Sequence, residues 1–385
     1  TIYDAYNQLW RNYCISDTYE PGSTIKPFTV ASAIDCGAIT GNEVYLCTGK
    51  REIGGWPIGC HNTFGDGELT VKQAVEKSCN VALMYIAEAA GKNNFCDYQH
   101  SFNFGLKTNI DLAGEARTVG LIYTADNMGP TELATCSFGQ GFNVTMIQMI
   151  TGFCSLLNGG NYYEPHMVSR IVSQDGSTVQ TIEPRVLKQT ISPSVSDTII
   201  DYCNGVVTEG TGTTARPAGY AIGGKTGTAE TQPRDNNEYV VSFMGYAPAD
   251  DPQIAIYVVV DRPNVKDQDD AKFATRLVRS ILTEALPYLG IFMTEEVTEE
   301  EQEELDALQL ENTNYYRQQA VSGNDVLPEE TGEGAEGGEE GSGEEGDAGL
   351  GLGEVGLVGA PVLLLHLHVE LDGPGGGGIG VAGLG

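Results

Sequence analysis

Hydrophobic positions over residues 1–292 switch between helical and strand spacing, with ordinary turn residues between the runs. Ser23–Gly37 reads as a helix entered through Pro21-Gly22, with Phe28, Ala31, Ile34 and Asp35 at helical spacing. Pro27 then belongs in the first turn, where a missing N–H is tolerated. Leu69–Ala90 is the longest helical pattern, with Thr70 as N-cap and Val71, Ala74, Val75, Val81, Ala82, Met84 and Tyr85 on one apolar face. A hairpin is expected over His166–Val172 and Thr178–Ile182, turning on Asp175-Gly176. Ser192–Val207 and Ala271–Leu286 are helical patterns. Between them lie strand patterns at Ala221–Thr228, Tyr239–Ala247 and Gln253–Asp261, separated by turns at Arg234–Asn237 and Pro248–Pro252. Strands that follow one another through short turns pair antiparallel. The expected class is therefore α/β of the α+β type: a central antiparallel sheet flanked by helices, plus an all-helical lobe.

Charge separates the rest of the 385-residue chain from this region. Residues 1–294 hold 31 acidic and 20 basic residues, an ordinary mildly acidic balance, whereas residues 295–347 hold 19 acidic residues and one basic residue, Arg317. Residues 293–348 carry too few large apolar side chains to offset ordering entropy, so this segment is expected to be disordered apart from a short helix near 296–311. Residues 349–385 form a low-complexity, Gly-rich tail. Its apolar run Val355–Leu371 is broken by Pro361, His366, His368 and Glu370 and is shorter than the ~20 residues a membrane span needs. It reads as out-of-frame or non-native sequence rather than an anchor. Residues 1–292 are the one folded domain, large enough to bury most of its apolar surface. With no basic face in bulk, nucleic acid is excluded as a partner, and so is a polybasic membrane-surface mode.

Three short motifs carry the chemistry: Ser23-Thr24-Ile25-Lys26, Ser78-Cys79-Asn80 and Lys225-Thr226-Gly227. Each alone is unspecific; their order and flanks make the signal. Ser23 and Lys26, three apart at a helix start, share one face. A serine hydroxyl is a poor nucleophile until a neighbouring base takes its proton. A lysine that is partly desolvated and crowded by another cation, here Lys225, has the lowered pKa that such a base needs. Ser78 offers a hydroxyl to pass the proton on, and Asn80 an amide to hold Lys26 or a substrate carbonyl. Gly223, Gly224 and Gly227 leave the third motif's strand bare for an extended peptide. Lys225, Thr226 and Thr228 would then face the peptide's terminal carboxylate. Backbone N–H groups of Ser23 and Thr228 would form an oxyanion hole. The plain alternatives are a Ser23 that only caps a helix, a solvated Lys26, and Ser78 and Asn80 as inert turn residues.

With these motifs in order, the chain resembles the penicillin-binding D,D-transpeptidases. The flanks Tyr19-Glu20-Pro21-Gly22-Ser23-Thr24-Ile25-Lys26-Pro27-Phe28 and Gly223-Gly224-Lys225-Thr226-Gly227-Thr228-Ala229-Glu230 are similar to the monofunctional class B members. Ser137-Phe138-Gly139-Gln140-Gly141 and Val241–Pro248 also match family blocks. Gln140-Gly141 reads either as a wall of the site or as a turn beneath it. Cys60-His61-Asn62 and Ser78-Cys79-Asn80 resemble the Gram-positive division and spore-cortex branch most. The resemblance implies peptidoglycan cross-linking through a Ser23 acyl-enzyme, with Lys26 as base, Ser78 as relay and Asn80 as positioning group. Lys225, Thr226, Gly227 and Thr228 would form the substrate-binding strand. It further implies β-lactams as acylating ligands, peptidoglycan stem peptides as substrates, and a glycosyltransferase of the cell-wall machinery as partner. The expected location is the extracytoplasmic face of the membrane, anchored by an N-terminal helix upstream of Thr1. Two other readings stay open: a β-lactamase-like hydrolase, although no Glu-x-x-x-Asn element follows Asn80, and a non-enzymatic penicillin-binding sensor or scaffold.

Nine cysteines complete the picture. Cys14, Cys36, Cys136, Cys154 and Cys203 fall in apolar patterns and read as small hydrophobes. Cys47, Cys60 and Cys79 cluster around the second motif. Three arrangements fit them: a Cys60–Cys79 disulfide acting as a redox switch, a structural zinc held by Cys47, Cys60, His61 and Cys79, or free thiols. No cofactor is otherwise expected.

Overall fold

A computed structural model describes residues 11–174, 177–234, 236–308 and the backbone of 362–367. Contacts divide the chain into one unit of Thr1–Glu295 with Gly359–Gly385 and another of Glu296–Val358.

In the first unit, a 3₁₀ turn over Gly22–Ile25 runs directly into helix α1 (Lys26–Asp35), which has Pro27 in its first turn. The helix expected from Ser23 thus begins one turn later, and Ser23 lies on the tighter 3₁₀ segment. Strands β1 (Val44–Cys47), β2 (Lys50–Ile53), β3 (Trp56–Gly59) and β4 (Gly67–Thr70) pair as two antiparallel ribbons, β1 with β4 and β2 with β3. The lobe expected to be all-helical therefore carries two small β elements. Their four-residue strands are mostly exposed, so no apolar face announces them.

Thr70 caps helix α2 (Val71–Glu76) through a capping box with Gln73. The long helix expected to reach Ala90 breaks here. Ser78 takes a left-handed conformation at φ 56°, and helix α3 (Asn80–Ser101, kinked at Gly91, φ 75°) starts afresh with Cys79 as its N-cap. Helices α4 (Pro130–Cys136) and α5 (Met146–Leu157) follow, α5 entered through a second capping box, Thr145 with Gln148. Four short strands come next: β5 (Asn161–Tyr163), β6 (Arg170–Val172), β7 (Thr178–Thr181) and β8 (Val186–Gln189). β6 and β7 form the expected hairpin, and β5 pairs with β8. The Asp175-Gly176 turn lies outside the described residues.

Helix α6 (Pro193–Thr208) leads to the main sheet of β9 (Gly223–Glu230), β10 (Tyr239–Ala247) and β11 (Ile254–Asp261), with helix α7 (Lys272–Tyr288) after it. These three strands pair antiparallel in chain order. Strand β12 (Val362–Leu367) adds parallel to β11, inside the segment read as low-complexity tail. β9 is an edge of the sheet.

Strict alternation on β10 and β11 explains how the sheet separates two cores. Val241, Phe243, Ala247, Ile254, Ile256, Val258 and Val260 pack with Ala274, Val278 and Leu282 of α7. The intervening Val240, Met244, Tyr246, Ala255, Tyr257 and Val259 join the core of the helical lobe. Both faces are buried, so the strands read as near-continuous apolar runs. In the lobe, α1 is buried around Val30, Ala31 and Ala33, and Phe28 meets Phe102 edge-on with ring centroids 5.0 Å apart.

In the second unit, residues 299–308 are helical, where the short helix is expected. Thr298 and Glu301 cap it reciprocally: the Glu301 N–H donates to Thr298 Oγ1 at 3.2 Å, and the Thr298 N–H to Glu301 Oε2 at 3.0 Å. Residues 309–361, which hold most of the acidic segment, lie outside the described residues.

Candidate active site

Ser23 lies half-buried on the 3₁₀ turn, and its carbonyl accepts the Lys26 N–H. That turn is pressed against the third motif. Gly22 has φ +58°, and a Cβ there would lie 2.5 Å from the Thr228 carbonyl oxygen. A Cβ on Gly227 would meet Ser242 Oγ, and lie 2.9 Å from Thr24 Cγ2. Glycine at both places lets the serine turn and β9 touch backbone to backbone. The Gly22 N–H donates to Gly139 O at 3.0 Å, and Thr29 Oγ1 donates to Ser137 O at 2.9 Å. The Ser137–Gly141 block therefore buttresses the serine turn from behind.

Lys26 is fully buried. Its Nζ donates to Asn80 Oδ1 at 2.8 Å, to Ser78 Oγ at 3.0 Å, and to the Ser78 carbonyl oxygen. The break between α2 and α3 is what makes this possible: the left-handed Ser78 turns its carbonyl and hydroxyl toward one ammonium. A non-glycine residue held there stores roughly 1 kcal/mol or more, and such strain concentrates at functional sites. Asn80 is fixed in turn, its Nδ2 donating to Gly59 O at 3.1 Å. The first two motifs are thus brought together as expected.

Lys225 is fully buried as well, and its Nζ donates to Thr226 O and Thr226 Oγ1 at 3.1 and 3.2 Å. Thr226 Oγ1 is 2.6 Å from Thr211 Oγ1. Burial lowers the Lys26 ammonium from its ordinary value to about 8, against an opposing pull from the nearby Cys79, Cys60, Asp66 and Cys47. Burial pushes Lys225 down well below its ordinary value too, and the positive charge of Lys26 adds to the push. Lys26 is thereby brought close to the pH range in which its neutral form is available as a base. Thr228, half-buried, donates from Oγ1 to Asp269 O at 3.3 Å.

A clamp that sequence reasoning missed lies beside the serine turn. Glu20 Oε1 accepts the Gly141 N–H at 3.1 Å, and its Oε2 pairs with Arg234 Nη2 at 2.5 Å. Glu20 therefore joins the segment entering the serine turn to the Gln140-Gly141 loop and to the β9–β10 connection. A cavity of about 440 Å³ lies past this clamp, lined by Tyr19, Glu20, Glu230, Val240 and Val259, and none of the motif residues line it.

Cys47, Cys60 and Cys79 are all buried, and their sulfurs with a carboxylate oxygen of Asp66 lie within 4.8 Å of one another. Cys60 Sγ and Cys79 Sγ are 3.9 Å apart, in hydrogen-bonding contact rather than bonded. His61, the expected fourth donor, is not in this group; its Nδ1 lies 3.7 Å from Cys60 Sγ. Asp66 takes its place because the Asn62–Asp66 turn folds back, with Asn62 Nδ2 donating to Asp66 Oδ1 at 2.8 Å. Of the other cysteines, Cys14, Cys136 and Cys203 are buried and Cys36 and Cys154 half-buried.

The family model described as penicillin binding protein transpeptidase domain matches residues 2–283. Stage V sporulation protein D of Bacillus subtilis is 37% identical over 287 residues, covering 73% of this chain and 44% of that protein. The probable peptidoglycan D,D-transpeptidase PenA of Neisseria gonorrhoeae is 30% identical over 299 residues, covering 76% and 48%. The chain thus spans about half the length of these curated relatives. Among solved structures, the TP domain of Burkholderia pseudomallei penicillin-binding protein 3 superposes with a TM-score of 0.65 at 26% identity, over 74% of this chain and 84% of that one. Penicillin binding protein 3 of Mycobacterium tuberculosis, complexed with aztreonam, gives 0.65 at 25% identity, over 74% and 66%. The sporulation relative is consistent with the Gram-positive division and spore-cortex branch, and the chain belongs to the penicillin-binding protein transpeptidase family as a class B transpeptidase domain.

Proposed function

We infer that this chain is the catalytic part of a peptidoglycan D,D-transpeptidase, working through a serine acyl-enzyme and acylated by β-lactams. The observation that carries the reading is the buried Lys26 ammonium, held by Ser78 and Asn80 one helical turn after Ser23. In this reading Ser23 Oγ attacks the carbonyl of the bond between two terminal D-alanines while neutral Lys26 takes its proton. The C–N bond breaks, and D-alanine leaves as an amine that receives the proton by way of Ser78. The amine of a neighbouring stem peptide then attacks the ester carbon, the new amide C–N bond forms, the ester bond to Ser23 Oγ breaks, and the amine's proton passes to the released Ser23 Oγ.

Asn80 keeps Lys26 in line, and Lys225 with Thr226 and Thr228 takes the donor's terminal carboxylate. Gly227 leaves the donor backbone room along β9, which is an edge strand of the sheet among the described residues. The N–H groups of Ser23 and Thr228 face the developing oxyanion. The reaction needs no cofactor, so an ion held by Cys47, Cys60 and Cys79 has a structural part only. The related PenA is named a probable peptidoglycan D,D-transpeptidase and the related mycobacterial protein binds aztreonam, which supports both substrate classes.

Among the described residues no helix is long and apolar enough to cross a membrane. The proposed setting is the extracytoplasmic face of the membrane, with an anchoring helix ahead of Thr1 and a cell-wall glycosyltransferase as partner. Residues 1–292 form the catalytic domain, followed by an acidic segment, 293–348, and a Gly-rich tail, 349–385.

A D-alanyl thioester donor offered with a D-amino acid acceptor tests the activity. Formation of the aminolysis product supports the transpeptidase. Rapid turnover of nitrocefin with no aminolysis would make the chain a hydrolase. A stable penicillin adduct with no donor turnover would make it a sensor or scaffold.

A further inference from the structure

The three cysteines around the second motif are placed more specifically than free thiols require. Cys47 ends β1, Cys60 follows β3, Asp66 precedes β4 and Cys79 caps α3. Four separate turns of chain thus deliver three sulfurs and one carboxylate oxygen to a single point, all within 4.8 Å of one another. A tetrahedral ion with metal–sulfur bonds of about 2.3 Å sets its sulfurs roughly 3.8 Å apart. The Cys60–Cys79 separation of 3.9 Å already has that length.

The cluster's hydrogen bonding is also that of a ligand set. The Asn80 N–H donates to Cys60 Sγ at 3.4 Å, and the Ala82 N–H to Cys79 Sγ at 3.4 Å. Backbone donors of this kind stabilise thiolates and orient them toward a cation. Asn62 fixes one Asp66 oxygen at 2.8 Å. The other, Asp66 Oδ2, is shielded from solvent and has no hydrogen-bond partner. An orphaned oxygen on a carboxylate that gathers with three buried sulfurs is costly unless a cation satisfies it.

We propose that Cys47, Cys60, Asp66 and Cys79 form a structural site for one thiophilic divalent cation of the zinc class. Three sulfurs and one oxygen select such an ion over magnesium or calcium. On binding, each cysteine loses its thiol proton to solvent and forms one metal–sulfur bond, and Asp66 adds one metal–oxygen bond. His61, 3.7 Å from Cys60 Sγ, stays outside the four ligands. The site has a clear structural task. Two-stranded ribbons of four residues are marginal alone, and the ion ties both of them to the first turn of α3. It also fixes Cys79 and Asn80, and through Asn80 the position of Lys26. The site goes beyond the transpeptidase reading and stands whether or not Ser23 is the nucleophile.

The test uses the full 385-residue chain, purified with thiols reduced and without chelator, loaded with zinc and freed of excess by gel filtration. Elemental analysis is expected to give one zinc per chain, with near-complete loss in Cys47→Ser and at least tenfold weaker retention in Asp66→Asn. Cys154→Ser, remote from the cluster, is expected to keep one zinc. Should Cys47→Ser prove misfolded by circular dichroism, cobalt substitution of the unaltered chain decides. Intense tetrahedral d–d bands with sulfur charge transfer support the site, and a weak six-coordinate spectrum overturns it. A reduced chain that emerges free of zinc overturns the proposal. So does equal zinc in Cys47→Ser, Asp66→Asn and the unaltered chain, or a Cys60–Cys79 disulfide found by non-reducing peptide mapping in the zinc-loaded material.

Discussion

Lys26 Nζ donates to Asn80 Oδ1 at 2.8 Å, joining the first residue of one buried helix to the first residue of another. The same ammonium reaches Ser78 Oγ at 3.0 Å, so three side chains from two motifs share one proton-bearing centre. Removing the Asn80 amide leaves Lys26 with one fewer acceptor and free to swing. Asn80→Ala should slow penicillin acylation by about 10- to 100-fold, the cost of a charge-assisted hydrogen bond of ~1.5–3 kcal/mol. Stopped-flow acylation with a fluorescent penicillin measures it, and an unchanged rate would remove Asn80 from the machinery.

Burial holds Lys26 at about 8, and the base in this account is its neutral form. The sign follows directly: below that value the protonated fraction grows and acylation slows. The rate constant should rise roughly tenfold per pH unit on the acid side and level off above about 8. Lys26→Arg, which cannot deprotonate near neutrality, should be nearly inactive and show no such limb. A flat profile in the unaltered chain between pH 6 and pH 8.5, roughly, would assign the base elsewhere.

Gly22 separates the serine turn from β9 by no more than backbone. A methyl there would lie 2.5 Å from Thr228 O, and φ +58° already disfavours a side chain. Gly22→Ala should cost about 1–3 kcal/mol of stability and displace Ser23 from the strand. Thermal unfolding and acylation should fall together. Gly37→Ala, at φ +73° with open space around it, should lower the melting temperature by backbone strain alone and leave acylation intact.

The Glu20–Arg234 pair is only partly exposed, with side-chain accessibilities of 11% and 29%. Because Glu20 also takes the Gly141 N–H, the pair ties two loops to the entrance of the serine turn. Glu20→Gln and Arg234→Ala should each slow acylation severalfold. Their double mutant should show a coupling of about 1 kcal/mol, as expected of residues in direct contact. Strict additivity would show that the clamp does not act as a unit.

Much of this arrangement is legible in the amino-acid sequence. The near-continuous apolar runs in Tyr239–Ala247 and Gln253–Asp261 mark strands buried on both faces, and β10 and β11 occupy nearly those bounds. The helix after Ser192 and the one after Ala271 were equally legible from their apolar stripes. The motif order located Lys26, Ser78 and Asn80, which do converge.

What escaped was set by tertiary contact. Nothing in Lys77-Ser78-Cys79-Asn80 breaks a helix by propensity, since it holds neither glycine nor proline. The break appears because the Ser78 carbonyl and hydroxyl are drawn to Lys26 from outside the segment. Asp66 does not stand out beside His61 in the sequence, because the fold-back of the Asn62–Asp66 turn is not written in spacing. Glu20 and Arg234 are 214 positions apart, and no local pattern links them.

Ser23 is the nucleophile that β-lactam acylation should mark. Peptide mass mapping after incubation with benzylpenicillin tests it most directly. A single penicilloyl adduct is expected on the peptide containing Ser23, absent from a Ser23→Ala protein that melts at the same temperature. An adduct on any other residue, or one that persists in the folded Ser23→Ala protein, would contradict it.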